Sequence, residues 1–358
     1  MRVQAAILRD PGKPFGVEDL DLGEPGPGEA LVRVVGAGLC HTDLIYRAFP
    51  ALAMPMVFGH EGSGVVEAVG PGVTRVAPGD HVVMSYDSCG WCAQCLGGAA
   101  SYCDEFMARN LIGVRADGSP GAADTDGKPV AARWFGQSSF ATHAIATERN
   151  LVTVDASLPL DLLGPLGCGL QTGAGAVLIA LNVRPGSSIA VFGTGAVGLA
   201  AVMAAKVAGA SEIIAVDLHA GRRELALELG ASRALDGADP ELAAAIGQVD
   251  ASFDTTGVSS VMSTAVAVLR PLGTCGLVGA GGGELTLRPE LAAGKNIRYI
   301  LEGEAVPQRF IPKLIELWRQ GRFPFDRLIR TYPLDKINDA ERDTTSGATV
   351  KPVLLPGT

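Results

Sequence analysis

Seven cysteines occur in the 358-residue chain, and four of them lie in one short stretch, at Cys89, Cys92, Cys95 and Cys103. Four thiolates from a single loop complete a tetrahedral shell with no open position, which is the donor set of a structural zinc site. Closely spaced cysteines also occur in disulfides and in zinc ribbons that contact nucleic acid or protein. Clustered thiols in a chain that starts without a signal peptide favour metal ligands, so we predict a structural zinc here.

A second group of potential ligands is dispersed along the chain, at Cys40, His60 and Cys168, and each member has glycine neighbours. Three protein ligands drawn together from distant loops leave the fourth position of a zinc ion open for substrate, and two cysteines with one histidine are a known set of this kind. Taken alone, Cys40 and Cys168 would more often be small buried apolar residues, which is our interpretation of Cys275. The three residues together predict a catalytic metal site.

A glycine-rich loop follows an apolar strand predicted over 188–192 and opens a helix predicted over 196–209. The first glycine permits a tight turn, the second lets the backbone approach a pyrophosphate, and the third allows close packing of helix on sheet. Asp217 ends the next strand, where a carboxylate binds ribose hydroxyls and repels a 2′-phosphate, so the sequence favours NAD over NADP. We expect Arg222 and Arg223 to contact the adenosine side. The residues predicted at the phosphates are Gly193, Gly195, Ala196, Val197 and Gly198.

The order of predicted elements divides the chain into three segments. Residues 1–169 hold short apolar runs separated by glycine and proline, which is typical of a β-rich barrel or sandwich. Residues 170–301 alternate strands with helices, which indicates βαβ units on a parallel sheet. Residues 302–358 carry a helix predicted over 309–320 and then return to short strands. We therefore predict an α/β protein in which a Rossmann-type doubly wound parallel sheet is inserted in a β-rich barrel catalytic domain.

Composition narrows the classes of partner. The net charge is −9 and the chain has no run of Lys and Arg, so we expect no nucleic-acid partner. The longest apolar stretches, 174–181 and 196–210, are interrupted and fall short of the ~20 apolar residues that span a bilayer, so we expect no membrane partner. Asp10, Pro11 and Gly12 come too early for the apolar part of a signal peptide, and the expected location is the cytoplasm.

These motifs clearly resemble those of the medium-chain, zinc-dependent alcohol dehydrogenases, and the resemblance covers essentially the whole chain. Its most specific segments are 59–67 (Gly-His-Glu-Gly-Ser-Gly-Val-Val-Glu), 89–103 and 193–198, and segments 78–82 and 350–354 also fit. The stretch 303–308, followed by Phe310, Ile311 and Pro312, is similar to the benzyl- or aryl-alcohol dehydrogenase branch, which also includes terpenoid-alcohol enzymes. The resemblance implies a GroES-like barrel, two zinc ions per subunit and NAD. It also implies a homodimer or homotetramer, often formed by extending the nucleotide-domain sheet through strands like 274–278.

The resemblance gives a role to each matching position. Cys40, His60 and Cys168 match the catalytic zinc ligands. Glu61 matches the carboxylate behind that metal, and Asp43 matches the acid that orients the His60 ring. The remaining matches are the hydroxyl that binds the alcohol (Thr42), contacts to the coenzyme pyrophosphate (His41, Lys351), the nicotinamide surroundings (Thr172 and Val278 to Ala280) and the substrate pocket (Trp134, Phe135).

The activity so implied is the reversible oxidation of a primary alcohol to an aldehyde by hydride transfer to NAD. The metal would act as a Lewis acid, and Thr42 would be the first acceptor of the alcohol proton. One position departs from the family, because the histidine that passes this proton to solvent is replaced by Ile45. We expect His41 or water to serve instead.

Aromatic side chains predict an aromatic or allylic substrate, such as benzyl alcohol. Trp134, Phe135, Tyr46 and Phe49 would line an apolar pocket together with Met54 and Met56, although Tyr46 to Met56 could also be ordinary core residues. Two alternatives share the fold: a terpenoid alcohol, and a formaldehyde–thiol adduct, which needs a basic anion site that we do not find. A non-catalytic dinucleotide-binding or zinc-ribbon protein is disfavoured because both sets of ligands are complete.

Overall fold

The computed structural model of the chain describes residues 1–47, 52, 54–280 and 282–357. Two compact units are present. The first comprises Met1–Cys168, Val306–Pro312 and Leu328–Thr358, and the second comprises Gly169–Ala305 and Lys313–Arg327. Residues 313–327 therefore group with the second unit, whereas the sequence-based division placed them in the C-terminal return to the first.

The strands are short in the first unit and more regular in the second. In chain order they are β1 (Arg2–Leu8), β2 (Gly16–Leu22), β3 (Glu29–Gly38), β4 (Met56–Val57), β5 (Gly62–Val69), β6 (His81–Met84), β7 (Gly121–Asp124), β8 (Pro129–Ala131), β9 (His143–Thr147), β10 (Leu151–Val154), β11 (Ser188–Phe192), β12 (Glu212–Asp217), β13 (Arg233–Asp236), β14 (Val249–Asp254), β15 (Leu269–Leu277), β16 (Asn296–Tyr299), β17 (Ile329–Pro333) and β18 (Lys351–Leu355).

The α-helices are α1 (His41–Tyr46), α2 (Ala93–Leu96), α3 (Phe106–Asn110), α4 (Leu160–Leu163), α5 (Gly169–Gly175), α6 (Ala196–Ala208), α7 (Ala220–Leu229), α8 (Leu242–Ile246), α9 (Ser259–Ala267), α10 (Pro307–Arg319) and α11 (Ile337–Thr345). A π-helical turn, Ala176–Ala180, continues α5. Within the described part of the chain, no single helix is long and apolar enough to cross a membrane. The bent pair Leu160–Gly167 and Gly169–Ala180 reaches that length and hydropathy only when its two halves are counted together.

The first unit is built from two β-sheets around a shared apolar core. Strands β1, β2, β7, β8 and β4 close into a small barrel, and a second sheet has the order β10-β6-β5-β3-β18-β17, with β9 also paired to β3. The core includes fully buried Phe58, Trp134 and Phe140. The end of β3 pairs directly with the start of β5. The segment after β3, which carries Cys40, therefore lies beside the segment before β5, which carries His60.

A buried charge cluster lies where β3 begins. The Glu29 carboxylate accepts hydrogen bonds from Nε and Nη2 of Arg115, both at 3.0 Å, and lies 3.3 Å from Nη2 of buried Arg133. Burial raises the pKa of Glu29, but Arg115, Arg133 and the N–H of Gly26 outweigh it, and the net pKa is lowered.

We expect Glu29→Gln to lower the free energy of unfolding by about 3 kcal/mol at neutral pH, because the buried Arg133 guanidinium loses its carboxylate. The folded pKa of Glu29 lies below the unfolded one, so this contribution is complete above the unfolded pKa and disappears as the pH falls through the folded pKa. Urea unfolding from pH 7 downward should therefore show the difference shrinking in acid. Asp21→Asn, which removes an exposed ion pair with Arg2, is the control and should cost ~1 kcal/mol or less. A difference that stays constant across pH would contradict this assignment.

The second unit is a six-stranded parallel sheet in the order β13-β12-β11-β14-β15-β16. That order, with helices between successive strands, is the doubly wound arrangement that binds dinucleotides at the carboxyl ends of its central strands. All five residues of β11 are buried, as expected for a strand covered on both faces. Small residues let α5 and α6 approach closely, since a Cβ at Gly173 would overlap the carbonyl oxygen of Val197.

The predicted fold class is confirmed: a Rossmann-type parallel sheet accompanies a β-rich, barrel-containing unit. Two edge strands, β13 and β16, were not predicted. The pairing of β15 with β16 also corrects one expectation, because residues 274–277 lie inside the sheet. Among the described strands, β16 forms that edge.

Candidate active site

The side chains of Cys40, His60 and Cys168 meet in the first unit, with their ligand atoms all within 4.8 Å of one another. Cys40 is the N-cap of α1, directly after β3. His60 precedes β5 and follows Gly59, whose φ of +93° is a left-handed conformation that favours glycine. Cys168 ends the 3₁₀ turn Gly164–Gly167. All three residues are buried, so three segments distant in sequence converge on one point.

The two nitrogens of the His60 ring have different surroundings. Nδ1 lies 2.8 Å from Oδ1 of Asp43, and both side chains are fully buried. Nε2 is also buried, yet it has no hydrogen-bond partner in the part of the chain that the structure describes. A buried polar atom without a partner is costly, and a cation held jointly with the two thiols would satisfy it. Nδ1–H donation to a carboxylate is the usual way of aiming Nε2 at a metal.

Asp43 connects the segments that carry two of these ligands. Its Oδ2 accepts a hydrogen bond from the backbone N–H of Cys40 at 3.1 Å, which forms a capping box at the start of α1. Its Oδ1 accepts from the N–H of Gly59 at 3.3 Å and from Nε1 of Trp134 at 2.9 Å, in addition to His60. One buried carboxylate therefore fixes both the backbone before α1 and the imidazole ring.

Burial and the neighbouring groups shift the pKa values of Cys40 and His60. The Cys168 side chain and His60 lower the pKa of Cys40 against the opposing effect of burial. Burial lowers the pKa of His60, but Asp43 and Cys40 together raise it well above its ordinary value. Thiolate and imidazolium thus stabilise each other, and a zinc ion would take the place of the Nε2 proton, because a ligating histidine is neutral. Thiolate and imidazole donors in one buried cluster are the soft, closely spaced ligands that suit zinc.

Glu61 and Lys351 form a buried ion pair behind Cys40. Lys351 Nζ lies 2.9 and 3.0 Å from the two Glu61 carboxylate oxygens and 3.2 Å from the carbonyl oxygen of Leu39, and its side chain is only 4% exposed. Burial raises the pKa of Glu61 although Lys351 opposes it. The contact of Lys351 with a coenzyme pyrophosphate stays a prediction, and the structure places its amine on Glu61 and Leu39. Gly38 is required here because a Cβ would overlap the Glu61 carboxylate.

Cys89, Cys92, Cys95 and Cys103 form a second cluster within 4.8 Å. The Cys89–Cys95 and Cys92–Cys103 sulfur pairs are 3.9 and 4.0 Å apart, which excludes disulfides at ~2.05 Å and matches the ~3.8 Å edge of a zinc tetrathiolate with 2.3 Å bonds. The N–H groups of Asp104 and Cys95 lower the pKa of Cys92 to about 6, whereas burial raises that of Cys103 to about 12. Four thiolates this close repel one another, so a central cation is needed to keep all of them deprotonated.

The three glycines of the 193–198 loop occupy three different backbone environments. Gly193 has φ of +82°, and Gly198 is required because a Cβ there would overlap the carbonyl oxygen of Gly193. Gly195 is the N-cap of α6, and a Cβ on it would meet nothing within 4 Å. The backbone around Gly195, Ala196 and Val197 is therefore an open surface at a helix N-terminus, which is suited to a pyrophosphate.

Asp217 holds this loop through hydrogen bonds to Thr194. Its Oδ2 accepts hydrogen bonds from the Thr194 N–H at 2.7 Å and from the Thr194 hydroxyl at 2.9 Å, and its Oδ1 accepts from the N–H of His219 at 2.8 Å. Oδ2 thus uses both of its acceptor sites on Thr194, whereas Oδ1 keeps one for a ribose hydroxyl. Arg223 binds the backbone carbonyls of Asp217 and Leu218 and pairs with Asp236, so it orders the end of β12. Arg222 is half-buried, and Thr172 and Val278 lie in α5 and directly after β15.

The aromatic residues of the predicted substrate pocket lie beside His60. Trp134 is fully buried and its indole N–H binds Asp43, while Phe135 is buried and stacks on His60 at 4.3 Å. Tyr46 is half-buried, 5.8 Å from the Trp134 ring, and Phe49 lies outside the described residues. His41 is exposed, and Thr42 and Ile45 are half-buried on α1. An open cavity of about 640 Å³ beside Arg47 and Glu341 contains none of the predicted site residues.

Gln137 belongs to the site although it was not predicted. Its Nε2 donates to the carbonyl oxygens of His60 and Ser85, at 3.0 and 3.1 Å, and its Oε1 accepts from the N–H of Gly62 at 3.1 Å. The side chain therefore braces the backbone on both sides of Glu61. No local pattern reveals this role, because the partners are more than fifty residues away.

With the fold and site described, comparison with known proteins identifies the class. Residues 26–156 match the alcohol dehydrogenase GroES-like domain, and residues 196–318 match the zinc-binding dehydrogenase domain. A GroES-like domain followed by a Rossmann-like sheet defines the medium-chain dehydrogenase fold.

Relatives narrow this class to a family. The chain is 47% identical to the geraniol dehydrogenase of Castellaniella defragrans, covering 98% of this chain and 97% of the relative. It is 37% identical to the NDMA-dependent alcohol dehydrogenase of Amycolatopsis methanolica, over 99% of both. The crystal structure of benzyl alcohol dehydrogenase from Acinetobacter calcoaceticus matches with a TM-score of 0.94 at 43% identity, over 99% of both chains. The protein belongs to the medium-chain alcohol dehydrogenase family.

Proposed function

We propose that the protein is a zinc- and NAD-dependent dehydrogenase that reversibly oxidises an aromatic or allylic primary alcohol to the aldehyde. The observation that carries this proposal is the buried, unpartnered Nε2 of His60 beside the thiols of Cys40 and Cys168, with Nδ1 fixed by Asp43. Such a set leaves one position of a tetrahedral metal open for substrate. The Cys89–Cys103 cluster, in contrast, supplies four ligands and suits a second, structural zinc.

The residues around the first cluster, which consists of Cys40, His60 and Cys168, have separate roles in this proposal. Zinc held by Cys40, His60 and Cys168 would supply a Lewis acid at the reacting oxygen. Asp43 keeps the His60 tautomer in which Nε2 is the ligand. Thr42, two residues after Cys40, receives the alcohol proton, and exposed His41 passes it to solvent because Ile45 has no titratable group. Glu61 and Lys351 neutralise each other behind the cluster.

The coenzyme would lie on the second unit. The open backbone at Gly195, the start of α6 and the position of Asp217 at the end of β12 support a dinucleotide. The carboxylate of Asp217 favours a free ribose 2′-hydroxyl, and therefore NAD. Assembly as a homodimer or homotetramer is part of the proposal, with β16 at the available sheet edge.

We expect Asp217→Ser to raise kcat/KM with NADP about tenfold or more, because a like charge facing the 2′-phosphate is removed. Its kcat/KM with NAD should fall, since the Thr194 loop loses a hydrogen-bond acceptor. Asp250→Ser is the matched control: Asp250 binds the N–H and hydroxyl of Ser188 at 2.7 and 2.9 Å, at the opposite end of the sheet. An unchanged NADP/NAD ratio in Asp217→Ser, or an equal shift in Asp250→Ser, would refute the role of Asp217.

Two alcohols are the first substrates to test, because one similar protein is named for geraniol and one similar structure for benzyl alcohol. Both alcohols are primary and carry an unsaturated carbon next to the carbinol carbon. Geraniol is the second candidate substrate, favoured by the 47% identity to a geraniol dehydrogenase.

The experiment measures NADH and NADPH formation on protein shown to hold two zinc ions per chain. Benzyl alcohol and geraniol are compared with cyclohexylmethanol and citronellol, which have a saturated carbon next to the carbinol carbon, and with a hydroxymethyl–glutathione adduct. Turnover with NAD and a preference for benzyl alcohol and geraniol supports the proposal. Turnover of the thiol adduct alone would replace it with the formaldehyde alternative, and a chain that binds only one zinc would refute the catalytic metal site.

A further inference from the structure

Trp134 is joined to the metal-ligand cluster through a single carboxylate oxygen. Its indole Nε1 donates to Oδ1 of Asp43 at 2.9 Å, and the same oxygen lies 2.8 Å from Nδ1 of His60. All three side chains are fully buried. The indole and the imidazole therefore share one acceptor in a medium where hydrogen bonds polarise one another strongly.

The loop that carries Trp134 is strained in a way that serves this contact. Phe135 and Ser138 have φ of +50° and +52°, which costs energy for residues other than glycine. Local hydrogen bonds maintain the conformation: Trp134 N–H donates to Oγ of Ser138 at 2.8 Å, and Asn150 Nδ2 donates to the carbonyl oxygen of Phe135 at 2.8 Å. The result places the Phe135 ring on the His60 imidazole, with the ring planes 21° apart.

His60 is thus held from three directions by one short loop. Trp134 acts on its ring through Asp43, Phe135 covers one face of the ring, and Gln137 binds its backbone carbonyl oxygen at 3.0 Å. An imidazole so confined cannot rotate without breaking several buried contacts. Partners that orient a ligating histidine set its basicity and orientation, and their loss typically costs 10–100-fold in metal affinity or activity.

We propose that Trp134 is a positioning residue for the catalytic metal site, fixing the Asp43 carboxylate so that His60 presents Nε2 to the metal. This inference rests on the proposed function, because it requires a metal at Cys40, His60 and Cys168. The indole N–H withdraws part of the negative charge of Oδ1 and also sets the plane of the carboxylate. A packing residue alone would need neither the N–H nor its direction.

The test compares Trp134→Phe with two controls. Trp134→Phe removes the N–H while leaving an aromatic ring beside Phe58, Tyr46 and Phe135. Phe58→Leu loosens the same packing, 5.1 Å from the indole, without touching Asp43. Trp318→Phe removes an equivalent indole–carboxylate hydrogen bond, to Asp326 at 2.8 Å in the second unit.

The measurement is the rate at which a chelator removes zinc from the three-ligand site, with the visible spectrum of the cobalt-substituted site as a second readout. Trp134→Phe should release this zinc about 3- to 10-fold faster and shift the cobalt bands, an effect below that of losing Asp43 itself. Both controls should stay within about twofold of wild type. Equal release rates and spectra in Trp134→Phe and wild type, or an equal change in Phe58→Leu, would overturn the proposal.

A measurement on the unaltered protein covers the case in which Trp134→Phe does not fold. The chain has three tryptophans, so ¹⁵N-indole labelling gives three N–H signals, assigned with Trp91→Phe and Trp318→Phe. Selective removal of the first-cluster zinc should shift the Trp134 signal and leave that of Trp318 in place. An unmoved Trp134 signal would refute the coupling. Failure to find a zinc at the three-ligand site in the wild type would instead refute the proposed function.

Discussion

Cys40→Ser is expected to lower bound zinc from two ions per chain to one and to reduce kcat/KM for the alcohol by more than about 10³-fold. A serine hydroxyl does not ionise near neutral pH, so the site keeps one thiolate and one imidazole in place of three donors. Lewis-acid stabilisation by a metal contributes several kcal/mol, and each 1.36 kcal/mol is a factor of ten in rate. The variant should otherwise fold, because Asp43 accepts a hydrogen bond from the backbone N–H of Cys40 and not from its side chain.

The control for this substitution is Cys275→Ser. Cys275 is fully buried on β15 and belongs to neither of the two clusters found among the described residues. Its zinc content should stay at two and its activity close to wild type, with a modest loss of stability from the buried hydroxyl. Zinc is measured by elemental analysis after gel filtration, alongside steady-state rates. A Cys40→Ser enzyme that turns over normally with a single zinc would remove Cys40 from the ligand set.

Periodicity predicted the strands and helices whose burial is uniform. The bounds of β11 agree with the predicted strand at 188–192, because it is an apolar run between turn residues. The edge strands β13 and β16 carry charged residues and contain no fully buried position, since β13 is mostly half-buried and β16 mostly exposed, so they lack that signal. Their existence depends on hydrogen bonds to a neighbouring strand, which only the assembled sheet supplies.

The site shows the same division between local and distant information. The spacing of Cys89 to Cys103 is local and sufficient to predict their cluster, whereas Cys40, His60 and Cys168 are dispersed and were grouped from a known two-cysteine, one-histidine donor set. The contacts of Trp134 with Asp43 and of Lys351 with Glu61 join residues 91 and 290 positions apart. The sequence assigned Trp134 to a pocket and Lys351 to a coenzyme without revealing these contacts, because a residue's type indicates its chemistry but does not identify its buried partner.

The second large effect is expected at the four-cysteine cluster. Cys103→Ser should also lower bound zinc to one ion. It should reduce stability and leave activity in place, since Cys40, His60 and Cys168 stay intact. The loop has little apolar support: α2 has four residues, and Trp91 and Leu96 are 64% and 75% exposed. A bound metal therefore replaces a core here, and structural zinc can be worth 10 kcal/mol or more in isolated small domains.

We expect the midpoint of thermal unfolding of Cys103→Ser to fall by about 5–10 °C, which corresponds to a loss of a few kcal/mol in a chain of this size. The loss is partial because Arg109 pairs with Asp87 at 3.1 Å and Asn110 binds the Asp87 backbone, so the segment around the loop keeps its own contacts. Below the transition, kcat per remaining zinc should stay within a few-fold of wild type, whereas Cys40→Ser should be inactive but nearly as stable as wild type. The two variants thus separate activity from stability at equal metal content. If Cys103→Ser kept both zinc ions, or lost activity in proportion to Cys40→Ser, the assignment of a structural role to one cluster and a catalytic role to the other would be wrong.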